Sequence, residues 1–213
     1  MQPRTPEAPF RRPPMLAARN LPTLGIFVAL GLLIASTRQY PGGTDWSTET
    51  VGYRWAENFV CALFQPLALN GAENPARPLA FAALVLLCVC LGVVFFTISR
   101  STTSRWQRSS IEIGGIGMAV YALFVPTVLH HVAVAMGLVF GLCAYLAMVH
   151  LLWREGRRGL CGWGFFVLLV KVASAISYYG DVAYDFLPVL QKVGIAAGLG
   201  WVLAVYHRRA RAC

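Results

Sequence analysis

The sequence predicts an all-α polytopic membrane protein: a bundle of six transmembrane helices with an interfacial amphipathic helix in the first outer loop. Three observations carry this reading. The chain of 213 residues is 57% hydrophobic and only 13% charged, with a mean hydropathy of +0.60. A soluble domain of that length cannot hide so much apolar surface in its own core, whereas a bilayer receives it. The apolar residues gather into runs of membrane-crossing length, and the arginines stand at the ends of alternate runs. A formal charge of +9 distributed in this way forms no single basic patch, so nucleic acid is not an expected partner.

Residues 1–20 are rich in Pro and Arg and read as a disordered basic cytoplasmic N-terminus. The first span follows over 21–37. Its apolar run is long for a secretory signal, and Leu33-Ile34-Ala35 is a poor cleavage site, so an uncleaved helix is expected. Residues 38–77 form a long polar connection opening on the turn signal Tyr40-Pro41-Gly42-Gly43-Thr44. Within it Trp55, Phe59 and Leu63 recur at every fourth position, beside Val60, Phe64 and Leu67. That spacing predicts an amphipathic helix in the interface, ended by Asn70-Gly71 and by Pro75 and Pro78.

The second span is expected over 78–99 and is free of charge. Ser109-x-x-Glu112 reads as a capping box opening the third, over 110–129, with Pro126 kinking or ending it. His130-His131 are expected as a tight turn into the fourth span, 132–153. The fifth is expected over 160–179 and the sixth over 186–206, joined by Gly180-Asp181-Val182-Ala183-Tyr184-Asp185, with Asp185 as a cap. Residues 207–213 make a basic cytoplasmic tail.

Arg4, Arg11, Arg12, Arg19, Arg100, Arg105, Arg108, Arg154, Arg157, Arg158, Arg208, Arg209 and Arg211 fall on one predicted side. Only Arg38, Arg54 and Arg77 fall on the other. That asymmetry places both termini in the cytoplasm of a bacterial inner membrane. Gly137-x-x-x-Gly141 and Gly194-x-x-x-Gly198 permit close helix approach. The cysteines show neither disulfide nor zinc spacing, and no cofactor or metal is expected.

The remaining basic residues, Lys171 and Lys192, lie inside spans. Lys171 sits about 13 Å below the outer end of its helix and Lys192 about 9 Å, at a rise of 1.5 Å per residue. Lys192 is within reach of the interface by snorkelling. Lys171 is not, and a charge at that depth costs several kcal/mol unless it finds a partner. Ser174 and Tyr178 share the face of Lys171 by their spacing. Asp181, Asp185, His130, His131, Glu57 and Asn58 are expected at the same outer level. Together these residues predict a polar pocket in the outer half of the bundle around Lys171.

Tyr40-Pro41-Gly42-Gly43, Gly52-Tyr53, Asn58-Phe59, Asn70-Gly71, Pro126 followed by His130, and Leu190-Gln191-Lys192 resemble a group of uncharacterised six-helix bacterial membrane proteins. More loosely, the layout is similar to the DRAM/Sfk-like six-span proteins linked to membrane lipid and stress responses. The group carries Ser and Asp shortly after Asn-Phe, where this chain has Cys61-Ala62. The resemblance implies an outer-facing polar pocket and supplies no catalytic residue.

These expectations favour a non-enzymatic protein associated with membrane lipids, or with a membrane-protein partner or a second copy of itself. Two other classes stay open. One is a small transporter or channel using Lys171 with Asp181 and Asp185. The other is a membrane-embedded hydrolase using His130 or His131 with the same acids, or Ser174 activated by Lys171.

Overall fold

Residues 15–180 and 182–210 are described by the structure, a computed structural model, with side chains from Arg19 onward. Six α-helices follow in order: α1 Met15–Thr37, α2 Arg77–Arg100, α3 Arg105–Ala122, α4 His130–Arg154, α5 Arg158–Gly180 and α6 Leu187–Arg209. Five of them are long and apolar enough to cross a membrane, the exception being α3. Its 18 residues reach about 27 Å, but Arg105, Gln107, Arg108 and Glu112 occupy its first turns.

Successive helices run antiparallel, so the bundle has two chemically distinct ends. At the arginine end, Arg209 pairs with Glu155 and donates to the Ser101 carbonyl. There, too, Arg19 donates to the Ala210 carbonyl at 3.2 Å, the Tyr206 hydroxyl donates to the Arg19 carbonyl at 2.8 Å, and Thr23 meets His207 at 2.9 Å. These ties correct the predicted termini. The chain is helical from Met15, within the stretch read as a disordered arm, and residues 207–209 continue α6 rather than forming a tail. Residues 1–14 and 211–213 lie outside the described residues.

The third and fourth helices also begin elsewhere than predicted. α3 starts at Arg105 after Ser104, whose side chain makes no cap bond. Glu112 is therefore mid-helix, and no capping box forms at Ser109. The carboxylate is drawn to the end of α2 instead, accepting from the Ser99 hydroxyl at 2.9 Å and facing Arg100 at 3.4 Å and Arg108 at 4.0 Å. α3 ends at Ala122, four residues before Pro126, because a proline cannot continue the hydrogen-bond ladder. His130 and His131 are the first residues of α4, not a turn; the turn is 123–129.

Close backbone approach sets the packing of α3. A Cβ on Gly115 would stand 2.1 Å from the Phe95 ring of α2, and one on Gly114 2.7 Å from the Phe140 carbonyl of α4. Only glycine permits both contacts, and through them α3 packs closely on α2 and α4. On the other side, Gly164 of α5 lies against Val149 and Trp201, where a Cβ would fall 2.7 and 2.6 Å away. Tyr145 and Trp201 stack at 5.0 Å, and the Trp201 indole donates to the Leu160 carbonyl at 2.7 Å. This joins α4, α5 and α6 in the half nearer the arginines.

At the opposite end the connection between α1 and α2 folds into a cap. The predicted amphipathic helix is absent. Trp55–Glu57 form a turn, and the only helical piece is a 3-10 turn, Val60–Phe64, with Ala62, Leu63 and Phe64 buried. Two asparagines explain the difference, because their side chains compete for backbone groups a helix would use. Asn58, fully buried, accepts from the Arg54 N–H at 2.8 Å and donates to the Gly43 carbonyl at 2.7 Å. Asn74 donates to the carbonyls of Ala62, Leu63 and Gln65. Gly43 takes a positive φ of 86° where a Cβ would strike the backbone of Leu69 and Asn70.

Candidate functional site

The slab α2–α3–α4 and the pair α5–α6 are joined near the arginine end by the Trp201–Tyr145 stack. Towards the cap end nothing equivalent fills the space between them. The result is a cavity of about 560 Å³, with Tyr145, Leu142 and Leu168 at its inner end and the cap over its mouth. On α5 its lining runs from Leu168 to Tyr179, about 16 Å of helix. Most of the wall is apolar, including Met118, Val134, Leu138, Leu190 and Ile195. Gly137, Gly141 and Gly194 also line it, and of these only Gly137 has open space for a side chain.

Lys171, Ser174 and Tyr178 all line the cavity, as their shared helical face predicts. The two shorter polar groups are already matched. Ser174 donates to the Val170 carbonyl at 2.8 Å, and the Tyr178 hydroxyl meets His131 Nδ1 at 2.8 Å. Lys171 differs: among the described residues its ammonium makes no hydrogen bond or ion pair. It is half-buried and lines the cavity, and its Nζ is not among the fully buried polar atoms left without a partner.

His130 and His131 come to the mouth from the start of α4. His130 Nδ1 lies 2.8 Å from the Val125 carbonyl, an acceptor only, so Nδ1 carries the proton there. The rings meet edge to face at 5.6 Å. Among the described residues no three His, Cys, Asp or Glu side chains are grouped to hold a metal ion.

Four of the sequence-derived candidates lie elsewhere. Lys192 does not line the cavity; its Nζ donates to the carbonyls of Asn58 and Pro188 and sits 5.6 Å from the centre of the Tyr53 ring. Asn58 organises the cap from inside, and Glu57 lies on the cap's turn. Asp185 is not the α6 cap, a position that Phe186 holds. It lies in a 3-10 turn and accepts from the Trp46 indole at 2.8 Å. Asp181 falls outside the described residues.

The cap supplies groups that the sequence did not place at the pocket. Asp45, Phe59, Cys61 and Gln65 line the cavity from it, Tyr184 from the 3-10 turn before α6, and Gln191 from near the start of α6. Gln191 accepts from the Val60 N–H at 2.8 Å. With the Trp46–Asp185 and Lys192–Asn58 bonds, this pins the cap to α6. Phe59 packs against Tyr184 at 5.8 Å. Phe59 carried a sequence signal in its helical spacing with Trp55 and Leu63, which placed it on an interfacial helix and not at the pocket. Gln191 carried only its place in a motif that resembles the six-helix group. Asp45 carried none.

Burial raises the Asp45 carboxyl above the usual carboxylate value. It also pushes the Cys61 thiol up to about 11, with the Asp45 charge adding to the effect. A folded-state pKa raised from 9.0 means the native state holds its proton through the window between the two values. The thiol therefore favours the fold below about pH 9 and ceases to do so as pH rises through about 11. At pH 8 its thiolate fraction should be about a hundredfold below that of an unperturbed thiol. Alkylation of the native protein, read site by site by peptide mass spectrometry, should leave Cys61 largely unmodified until denaturant is added. Rapid native labelling would contradict this.

No family model, no curated protein and no solved structure matches the chain.

Proposed function

We propose that this chain is a non-enzymatic integral membrane protein that holds a lipid-like amphiphile in the cavity beneath its cap. The observation that carries the reading is the cavity itself: about 560 Å³, walled mainly by apolar side chains, with polar groups at its mouth and Lys171 deeper on the α5 wall. Sites of roughly 300–1,000 Å³ with apolar walls and a few placed polar groups are typical of small-molecule binding. An amphiphile matches both parts, and the surrounding bilayer is its natural source.

In this reading α3 crosses with the other helices, making six spans. It packs along α2 and α4, and its neighbours start and finish at opposite ends. The arginine asymmetry orients both termini to the cytoplasm of a bacterial inner membrane, so the capped cavity opens to the outer leaflet. Among the described residues, two of the groups that transport or hydrolysis would use are already engaged: Asp185 by Trp46, and His131 by Tyr178.

Gly137→Leu provides the test. A Cβ at Gly137 would meet only Tyr121, at an ordinary 3.9 Å, so the branch of a leucine extends into the cavity instead of into backbone. The purified protein in neutral detergent should bind a neutral solvatochromic dye, with blue-shifted emission. Gly137→Leu should weaken binding by about tenfold, since a filled site loses contacts worth about 1–2 kcal/mol. Gly137→Ala should bind as the native chain does. Equal dye binding by all three proteins would remove the cavity as the site.

A further inference from the structure

We infer that the amphiphile taken by the cavity is anionic, and that its charged group docks on Lys171. The inference rests on the reading of the cavity as an amphiphile site and adds the chemistry of the head. It comes from matching each polar group along the wall. The Ser174 hydroxyl is spent on the Val170 carbonyl, the Tyr178 hydroxyl on His131, and the Gln191 carbonyl on Val60. His130 is spent on the Val125 carbonyl. Left without a hydrogen-bond or ion-pair partner among the described residues are the Tyr145 and Tyr179 hydroxyls, the Gln65 side chain, the Asp45 carboxyl and the Lys171 ammonium, and of these only the ammonium is a cation.

The two charged side chains that line the cavity are not paired with each other. Lys171 is the only lysine or arginine lining the cavity, and Asp45 is the only acid there among the described residues. Asp45 stands on the cap, at the mouth, and forms no ion pair with Lys171. A cation held in apolar surroundings without a counter-charge is costly, and the cost falls when an anion arrives with its own hydrogen-bond acceptors. A neutral head would leave the ammonium uncompensated. A cationic head would meet like charge.

A carboxylate and a phosphate monoester share the required chemistry, a compact anion with several acceptor oxygens. The anion could in principle arrive free or on a hydrocarbon chain. The apolar wall on both sides of Lys171 favours the chain, since a free anion would have to displace its water against Leu168, Leu138 and Ile195 with nothing to bury in return.

Displacement of the bound neutral dye separates these cases. Dodecanoate, dodecyl phosphate, dodecanol, dodecyltrimethylammonium and inorganic phosphate should be titrated against the full chain in neutral detergent. Dodecanoate and dodecyl phosphate should displace at concentrations at least about tenfold below dodecanol, the scale of one charge-assisted hydrogen bond. Dodecyltrimethylammonium should be weaker still, and inorganic phosphate should not displace. In Lys171→Met the acid and the alcohol should converge, while dye binding persists. In Lys171→Arg the preference should return.

Equal displacement by acid and alcohol in the native chain would overturn the anionic head and leave the cavity reading standing. Displacement by inorganic phosphate as potent as by dodecyl phosphate would overturn the chain-borne anion. A native chain that binds no dye would remove the cavity reading and this inference with it.

Discussion

Asn58→Ala should unfasten the cap while leaving the helix bundle intact. The Asn58 side chain is fully buried and satisfies two backbone groups from opposite sides of the loop, the Arg54 N–H and the Gly43 carbonyl. Removing it strands both where water cannot easily replace it. Each unsatisfied buried group costs about 1–3 kcal/mol, so a loss of about 2–4 kcal/mol in local stability is expected. The loss should stay local because Asn58 packs within the cap, whereas the large core residues Phe95, Ile98, Met148 and Trp201 belong to a separate cluster nearer the arginine end. Hydrogen exchange across residues 40–76 should therefore accelerate strongly, with little change in the middle of α2 and α4. Asn58→Asp keeps the acceptor for Arg54 and loses the donor to Gly43, so it should fall between. Unchanged protection of the loop in Asn58→Ala would show that the cap is held by other means.

The same loop shows where sequence reading reached its limit. Trp55, Phe59 and Leu63 repeat at helical spacing, but of the apolar face they predict only Leu63 and Phe64 are buried, while Trp55 and Leu67 are exposed. Periodicity reports which residues would share a helical face; it does not report which hydrogen bonds win. Here the buried amides of Asn58 and Asn74 capture backbone groups that an α-helix would have used, and the chain compacts into turns instead. The start of α3 was misplaced for a related reason. Ser109 and Glu112 have the spacing of a capping box, but the ends of α2 and α3 come together and offer Glu112 the Ser99 hydroxyl and two arginines. Local spacing cannot weigh a partner from another helix.

By contrast, the long apolar runs and the face shared by Lys171, Ser174 and Tyr178 were legible, because they depend on composition and helical geometry alone. The cavity that this face lines was only half legible. Its α5 wall follows from spacing. Its cap wall, with Asp45, Phe59 and Cys61, exists only after the loop has folded back across more than a hundred residues onto Tyr184 and Gln191. The close packing of α3 on α2 and α4 at Gly114-Gly115 likewise depends on partners from other helices, Phe95 and Phe140, that local spacing does not reveal.

Lys171→Met should make the ligand-free protein more stable, and this is the sharpest expectation about the site. Methionine approximates the lysine stem in volume and flexibility and removes the ammonium, so packing against the cavity wall is largely kept. What disappears is a charge with no counter-charge among the described residues. On insertion scales a lysine at the centre of a membrane-spanning helix costs about 2.5–3.5 kcal/mol, and a good part of that should be recovered. Thermal unfolding in neutral detergent, after delipidation, should therefore show a higher midpoint for Lys171→Met than for the native chain. Adding dodecanoate should then reverse the order or close the gap, because only the native chain gains from an anion that binds its folded state. A residue retained at the expense of stability is the expected signature of a functional group, since substitutions that stabilise at such positions commonly cost activity. If Lys171→Met instead lowers the midpoint in the delipidated state, the ammonium is compensated inside the protein, and the cavity has no need of a charged ligand.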